Sequence, residues 1–131
     1  MSKFIKIIFF VILNCSLLFS YSAKALEKIK IGLMVPLTGS NKDLGQSIIK
    51  AVRLAVKDIN NNSIEIIPKD TASKANKALK SAFELKQMGV KVIIGPVFFD
   101  SIAYLDEIKD ITFLSLTNKT LDLPKNVISA G

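Results

Sequence analysis

Histidine and tryptophan are absent from this 131-residue sequence, and cysteine occurs once, at Cys15. A histidine-based catalytic triad and a Cys/His zinc finger are therefore excluded, and one cysteine forms no internal disulfide. No Gly-x-Gly-x-x-Gly motif or Walker loop follows the first predicted strand, which argues against nucleotide binding through either motif. Half of the residues are hydrophobic, enough for a folded core, and this argues against disorder.

The first 25 residues have the composition of a secretory signal peptide. Two lysines open the segment, an apolar run broken by Asn14 covers residues 7–19, and residues 23–25 supply an Ala-x-Ala site. A membrane anchor would need about 20 unbroken apolar residues, and the bulky Asn14 is unfavourable for lipid attachment to Cys15. We predict export, cleavage after Ala25, and membrane contact through the signal peptide only.

Cleavage changes what the charge implies. The formal charge of +7 first suggests a nucleic-acid partner. However, Lys3, Lys6 and Lys24 leave with the signal peptide, so the charge falls to +4. The lysines at positions 74, 77 and 80 fit a solvated helix face better than a phosphate track. We therefore predict no nucleic-acid partner.

The rest of the chain alternates between strand and helix patterns, recognised by apolar runs and by apolar residues three or four positions apart. The predicted elements are a strand from Lys28 to Val35, a helix between Asp43 and Asn60, a strand at 64–67, a helix from about residue 75 to Gly89, a strand at 90–94, a shorter helix at 101–108, a strand at 111–116 and the start of a strand at 126–130. Such alternation predicts an α/β fold, a doubly wound parallel sheet with right-handed crossovers and helices on both faces.

Residue types also predict where the helices and strands end. Asp43 is predicted as the N-cap of the first helix and the asparagines at 60–62 as its stop. Gly89 is predicted as the C-cap of the second helix. Pro68 is predicted to close the second strand.

Polar and glycine residues gather where the predicted strands end, and ligands of such sheets bind beyond the carboxyl ends of the strands. The loop after the first predicted strand contains Thr38, Gly39 and Ser40 and leads into a predicted helix N-terminus. The N–H groups there favour an anion such as a carboxylate. Thr117 and Asn118 carry groups suited to a small polar ligand. Both loops are equally well explained as ordinary turns.

Evidence for catalysis is sparse. The carboxylates in or near loops are Asp43, Asp70, Asp100 and Asp106. Paired carboxylates can perform acid–base chemistry, but loop and cap aspartates more often have structural roles. We predict no enzymatic activity, no catalytic residue, no metal and no cofactor.

Five segments of the sequence, in their order and spacing, together resemble type I periplasmic solute-binding proteins of the Leu/Ile/Val-binding branch. They are residues 29–39, 45–60, 70–72, 92–96 and 114–118. The first of these segments, IKIGLMVPLTG, is similar to that family's first strand and loop. The resemblance covers the whole of the predicted mature chain, residues 26–131. It implies that these residues form a partial N-terminal lobe of a longer two-lobe protein.

The resemblance also implies a function and a site. Proteins of this family close two lobes on a ligand, usually an amino acid, which is delivered to an ABC permease. Hydroxyls and backbone groups from the loops after strands one, three and four hold the ligand. The residues that this implies here are Thr38, Gly39, Ser40, Phe98, Phe99, Ser101, Ser115, Thr117 and Asn118.

The sequence departs from the family pattern at two positions. Leu44 stands where an aromatic residue is often found, and Phe99 stands where a carboxylate-binding serine is expected, with Ser101 close by. Residues 45–46 and 94–98 are at least as similar to a related branch, the periplasmic activators of penicillin-binding proteins, which act by protein contact. Two functions therefore stay open: a receptor for a small solute, and a regulator of cell-wall synthesis.

Overall fold

The computed structural model describes residues 27–102, 104–120 and 122–131. The predicted signal peptide and its cleavage site lie outside these ranges. Within them the strands are β1 (Ile29–Val35), β2 (Ile64–Asp70), β3 (Val92–Ile94), β4 (Thr112–Ser115) and β5 (Val127–Ser129), and the α-helices are α1 (Lys42–Ile59) and α2 (Ala75–Gln87). No helix in the described ranges has the length and hydropathy needed to cross a bilayer.

The five strands form one parallel sheet in the order β2-β1-β3-β4-β5. The chain moves outward from β1 to β2, returns to β3 on the other side of β1, and then continues to β4 and β5. The direction of winding therefore reverses between β1 and β3, which is the switch point where such sheets bind ligands. This topology confirms the predicted doubly wound α/β fold.

Two apolar layers cover the sheet, one on each face. On one face, α2 and the crossovers before β4 and β5 enclose a cluster that includes Met34, Leu85 and Phe113. On the other face, α1 packs over a smaller cluster of Leu33, Val35 and Ile49. Successive β1 residues thus point to opposite faces, and burial on both faces explains the continuous apolar run in the sequence.

The start of α1 differs from the prediction, while its end agrees. Asn41 precedes the helix without a side-chain capping bond, and its amide instead donates to the Ser73 Oγ at 3.1 Å. Asp43 lies in the first turn, where a carboxylate interacts favourably with the helix dipole, so its assignment as the N-cap was wrong. Asn60 adopts the left-handed conformation that ends the helix, which confirms the predicted stop.

The end of α2 lies one residue earlier than predicted. Met88 is the C-cap, and Gly89 follows it in the left-handed conformation at φ 83°. The Gly89 N–H donates to the Lys86 carbonyl at 3.0 Å, and the Val90 N–H donates to the Leu85 carbonyl at 3.1 Å. This is a Schellman motif, in which glycine occupies the position after the cap.

Further predictions were also wrong. β3 begins at Val92 rather than at Val90. β2 continues through Pro68 to Asp70, because β2 is an edge strand and tolerates a residue without an N–H. The predicted helix at 101–108 is instead two 3₁₀ turns, Phe99–Ile102 and Leu105–Glu107. A helix that short is marginal, and the Asn126 amide satisfies two carbonyls of this region from outside, at 2.9 and 3.0 Å.

Candidate functional site

The loops that follow β1, β2, β3 and β4 meet at the carboxyl edge of the sheet. The Thr71 N–H donates to the Val35 carbonyl at 3.0 Å and joins the first two loops. The Pro96 carbonyl joins the other two, because it accepts from the Leu116 N–H at 3.0 Å and from the Ser115 hydroxyl at 3.1 Å. The sheet therefore brings together the segments that the sequence predicted to hold a ligand.

Two glycines allow this edge to pack closely. A Cβ at Gly45 would overlap the Pro36 carbonyl oxygen, so the first turn of α1 lies directly against the loop after β1. A Cβ at Gly95 would overlap the Met34 carbonyl oxygen, and Gly95 also has φ 104°, a conformation that favours glycine. These contacts set the spacing of the loops after β1 and β3.

Asp70, at the end of β2, organises the loop after β1. One oxygen of its carboxylate, Oδ1, accepts from the N–H groups of Leu37 at 2.8 Å and Thr38 at 3.2 Å, and from the Ala72 N–H at 2.8 Å. The other oxygen, Oδ2, accepts from the Thr38 hydroxyl at 2.6 Å. One carboxylate thus satisfies four donors from two loops.

These hydrogen bonds favour the ionised form of the Asp70 carboxyl. Burial raises the pKa of the Asp70 carboxyl, but the hydrogen bonds from the Thr38 hydroxyl and from the N–H groups of Leu37, Ala72 and Thr38 outweigh this effect, and the pKa lies below its usual value. A carboxyl whose folded-state pKa is lowered stabilises the fold above its ordinary pKa. That contribution is lost as the pH falls through the lowered value.

The first predicted group of site residues, Thr38, Gly39 and Ser40, lies exposed on the loop after β1. Because Thr38 donates both its N–H and its hydroxyl to Asp70, its side chain presents only acceptor lone pairs to a ligand. The anion that occupies the N–H groups at residues 37 and 38 is the protein's own carboxylate. Donors for a ligand anion are therefore left to Gly39, Ser40 and the first turn of α1.

The second predicted group lies at the end of β4, with Ser115 as the last residue of the strand and Thr117 and Asn118 in the loop after it. Ser115 is fully buried and Thr117 nearly so. The Ser115 oxygen accepts from the Thr117 N–H at 3.4 Å, and the Thr117 oxygen accepts from the Lys119 N–H at 3.3 Å. Both hydroxyls thus shape the loop itself, and Asn118 is the member of this group that lies exposed.

The third predicted group follows β3. Phe98 and Phe99 are half-buried, and Phe99 packs against the core cluster beneath α2. Ser101 is fully buried, and its hydroxyl has no hydrogen-bond partner within the described residues. These three residues therefore contribute little polar surface to the carboxyl edge.

Two residues outside the predicted set contribute to this edge. The sequence predicts a structural role for Asp70 as a loop aspartate. Its position at the end of a strand, beside the loop after β1, is the sequence feature that could have indicated its hydrogen bonds to that loop. The Lys119 ammonium lies 3.6 Å from the centroid of the Phe99 ring, a cation–π contact that joins the loops after β3 and β4. No sequence signal pointed to Lys119.

No group of three or more His, Cys, Asp or Glu side chains within the described ranges is arranged to hold a metal ion. Besides the Asp70 carboxylate and the Lys119 ammonium, the polar groups at the carboxyl edge are hydroxyls, amides and backbone groups. Such groups suit hydrogen bonding to a small polar molecule.

Comparison with known proteins identifies the family. The sequence profile of the family described as periplasmic binding protein matches residues 28–126, so the chain belongs to this family. This match confirms the resemblance seen in the sequence. A search of curated proteins returned no match.

Solved structures show the same fold. The leucine-binding protein LivK of Thermotoga maritima is 19% identical with a TM-score of 0.66, covering 76% of this chain and 31% of its own. LivJ of Streptococcus pneumoniae, in complex with isoleucine, is 24% identical with a TM-score of 0.65, covering 76% and 32%. Full-length LpoA of Haemophilus influenzae is 25% identical with a TM-score of 0.59, covering 70% and 17%. The chain thus spans a third or less of the length of these proteins.

Proposed function

We propose that this chain forms the first part of the N-terminal lobe of an exported, non-enzymatic receptor. The receptor binds a small solute and delivers that solute to an ABC permease. The observation that carries this proposal is the meeting of four loops at the carboxyl edge of the sheet, beside the switch point. Membership of the periplasmic binding protein family supports it. The proposal places the lobe in the periplasm, with residues 1–25 as its cleaved signal peptide.

An amino acid fits the exposed groups at this edge. Ser40 and Asn118 are exposed and supply hydrogen-bond donors for a carboxylate. The exposed Thr38 hydroxyl supplies acceptor lone pairs for an ammonium group. Among the similar structures, LivJ holds isoleucine and a solute-binding protein of Rhodopseudomonas palustris holds 4-hydroxybenzoate; both ligands carry a carboxylate.

Titration of the ¹⁵N-labelled chain followed by NMR tests the proposal. We expect leucine or isoleucine at about 10 mM to shift the amides of residues 38–40 and 117–118, since one lobe offers half a cleft and millimolar affinity is only about −4 kcal/mol. Isopentylamine, which is leucine without its carboxylate, should shift them less. If leucine, isoleucine and 4-hydroxybenzoate all leave these amides unmoved, the receptor proposal fails.

Residue-level variants test the site. Thr38→Ala and Asn118→Ala should each weaken the response to the amino acid. Thr112→Ala is the matched control, because Thr112 is also exposed but lies at the opposite edge of the sheet, where β4 begins. Equal responses in all three variants would remove Thr38 and Asn118 from the site.

One observation favours a second candidate, a regulator of penicillin-binding proteins that acts by contact. Ser101 and Ser115 are fully buried, and Phe99 packs against the core. Few polar side chains of the predicted set are therefore left to form hydrogen bonds with a solute. The LpoA C-domain of Haemophilus influenzae, described as a regulator of PBP1A, is 26% identical with a TM-score of 0.58. Retention of a purified peptidoglycan synthase by the immobilised chain, with no response to any solute, would favour this candidate.

A further inference from the structure

We propose that Asp70 is the positioning residue of the loop after β1, and that its carboxylate holds residues 37–38 in the conformation that presents residues 38–40 to a solute. This inference rests on the proposed function insofar as the loop is a binding loop. The role of Asp70 in holding residues 37–38 is supported by the four hydrogen bonds that its carboxylate accepts, three of them from these two residues.

The loop depends on Asp70 because its donors lie beyond the strand ladder. The pairing of β1 with β2 ends at Val35 and Asp70, so the N–H groups of Leu37 and Thr38 receive no partner from the sheet. The Asp70 carboxylate reaches across from the neighbouring strand and accepts from both. Loss of the carboxylate would leave the half-buried Leu37 N–H without this partner, which is costly.

Asp70 is itself held firmly. Its backbone pairs with Val35 in the sheet, and its carbonyl accepts from the Ser81 hydroxyl of α2 at 3.0 Å. Ser81 is buried in the helix that covers the larger apolar cluster. The loop after β1 is therefore attached, through one side chain, to the more extensively packed face of the sheet.

Hydrogen-bond donors rather than a cation balance the Asp70 charge. In the part of the chain that the structure describes, the ion pairs are Lys69 with Glu84 at 2.6 Å and Lys86 with Asp110 at 3.8 Å. Lys69, the sequence neighbour of Asp70, is thus paired elsewhere. Substitution of Asp70 by asparagine therefore acts on the loop directly, without breaking an ion pair of Asp70.

The experiment is native-state amide hydrogen exchange of the full chain with Asp70→Asn, Asp70→Ala and Asp43→Asn variants. Asp70→Ala should raise exchange at Leu37, Thr38 and Ala72 by about tenfold to a hundredfold, as expected for loss of hydrogen bonds to a charged acceptor. Asp70→Asn keeps one neutral acceptor oxygen, so its hydrogen bonds are weakened rather than lost and the rise should be smaller, about threefold to tenfold. Asp43→Asn is the matched control: it removes the same charge beside the same loop, but the Asp43 side chain makes no hydrogen bond to that loop among the described residues. Exchange there should not change.

A second measurement separates positioning from a purely structural effect. The affinity of each folded variant for leucine and isoleucine is compared with its free energy of unfolding. A positioning role predicts that Asp70→Asn lowers affinity at least fivefold at a temperature where the variant is fully folded. The double variant Asp70→Asn/Thr38→Ala should lose less affinity than the sum of the losses in the two single variants, because both substitutions act through one loop.

The outcomes are distinct. Unchanged exchange at Leu37 and Thr38 in Asp70→Asn overturns the proposal, and so does raised exchange with unchanged affinity. If Asp70→Ala does not fold, the milder Asp70→Asn decides. If no solute binds the unsubstituted chain, the receptor proposal fails by itself, and exchange alone then decides whether Asp70 positions the loop.

Discussion

The two faces of the sheet differ in how completely they are covered. On the α2 face, the described residues include a cluster of 12 buried residues, closed by α2 and by the crossovers into β4 and β5. On the α1 face, the cluster has three buried residues beneath one helix. Ile128 of β5, whose neighbour Val127 points to the α2 face, is 54% exposed.

The difference follows from the winding of the chain. One crossover, β1 to β2, passes over the α1 face, whereas the crossovers that lead to β3, β4 and β5 all pass over the other face. Right-handed connections require this arrangement once the strand order reverses beside β1. We therefore expect the α2 face to provide most of the stability of the described lobe.

Phe113→Ala should have the largest effect. Phe113 is fully buried in the α2-face cluster, and truncation of a buried phenylalanine costs about 3–5 kcal/mol. Urea denaturation of the full chain, followed by circular dichroism, measures this loss in the free energy of unfolding. A loss below about 1.5 kcal/mol would show that the α2 face is less tightly packed than the structure indicates.

Ile49→Ala tests the α1 face. Ile49 is 8% exposed and anchors α1 to the sheet, so we expect a loss of about 2 kcal/mol, the low end for such a truncation, because fewer neighbours surround it. The same denaturation measurement applies. A loss as large as that of Phe113→Ala would contradict the proposed difference between the faces.

Gly32→Ala adds a methyl group to the α2 face. A Cβ at Gly32 would lie 2.7 Å from the Leu85 Cδ1 and 2.9 Å from the Ile93 Cγ1. These side-chain atoms can shift, so we expect a loss of about 1–2 kcal/mol from overpacking. The combined variant Gly32→Ala with Leu85→Ala should lose less than the two single losses together.

Leu54→Ala should have the smallest effect. Leu54 lies on α1 but is 61% exposed, so its truncation should change the free energy of unfolding by less than about 0.5 kcal/mol. Ile49→Ala on the same helix is the matched comparison. A loss above about 1 kcal/mol would show that Leu54 is covered in solution.

Local patterns predicted most of the architecture and little of the site. The apolar periods located all five strands and both α-helices, and Asn60 ended α1 as predicted. The errors fell where a contact distant in sequence overrides a local preference. Asn126 bonds the carbonyls of the 3₁₀ region from 18 and 21 residues away, and Pro68 is tolerated because β2 lies at the edge of the sheet.

The candidate site shows the same limit at the level of single groups. The predicted residues lie in or after the segments that follow β1, β3 and β4, with Ser115 still in β4 and Phe99 and Ser101 in a 3₁₀ turn, but burial and hydrogen bonding divide them. Ser101 and Ser115 are fully buried, whereas Ser40 and Asn118 are exposed. Residue type and spacing do not distinguish these serines, because burial depends on the packing of strands that are far apart in the chain.

By itself, the sequence determined the alternation of strands and helices, the parallel fold class and the loops at which the site was sought, because periodicity and turn residues act within a few positions. Only the tertiary structure decided that β3 lies beside β1, that one face is more fully covered, and that Asp70 meets the N–H groups of residues 37 and 38. These outcomes join residues about 30 or more positions apart. They depend on strand order and register, which local preference does not specify.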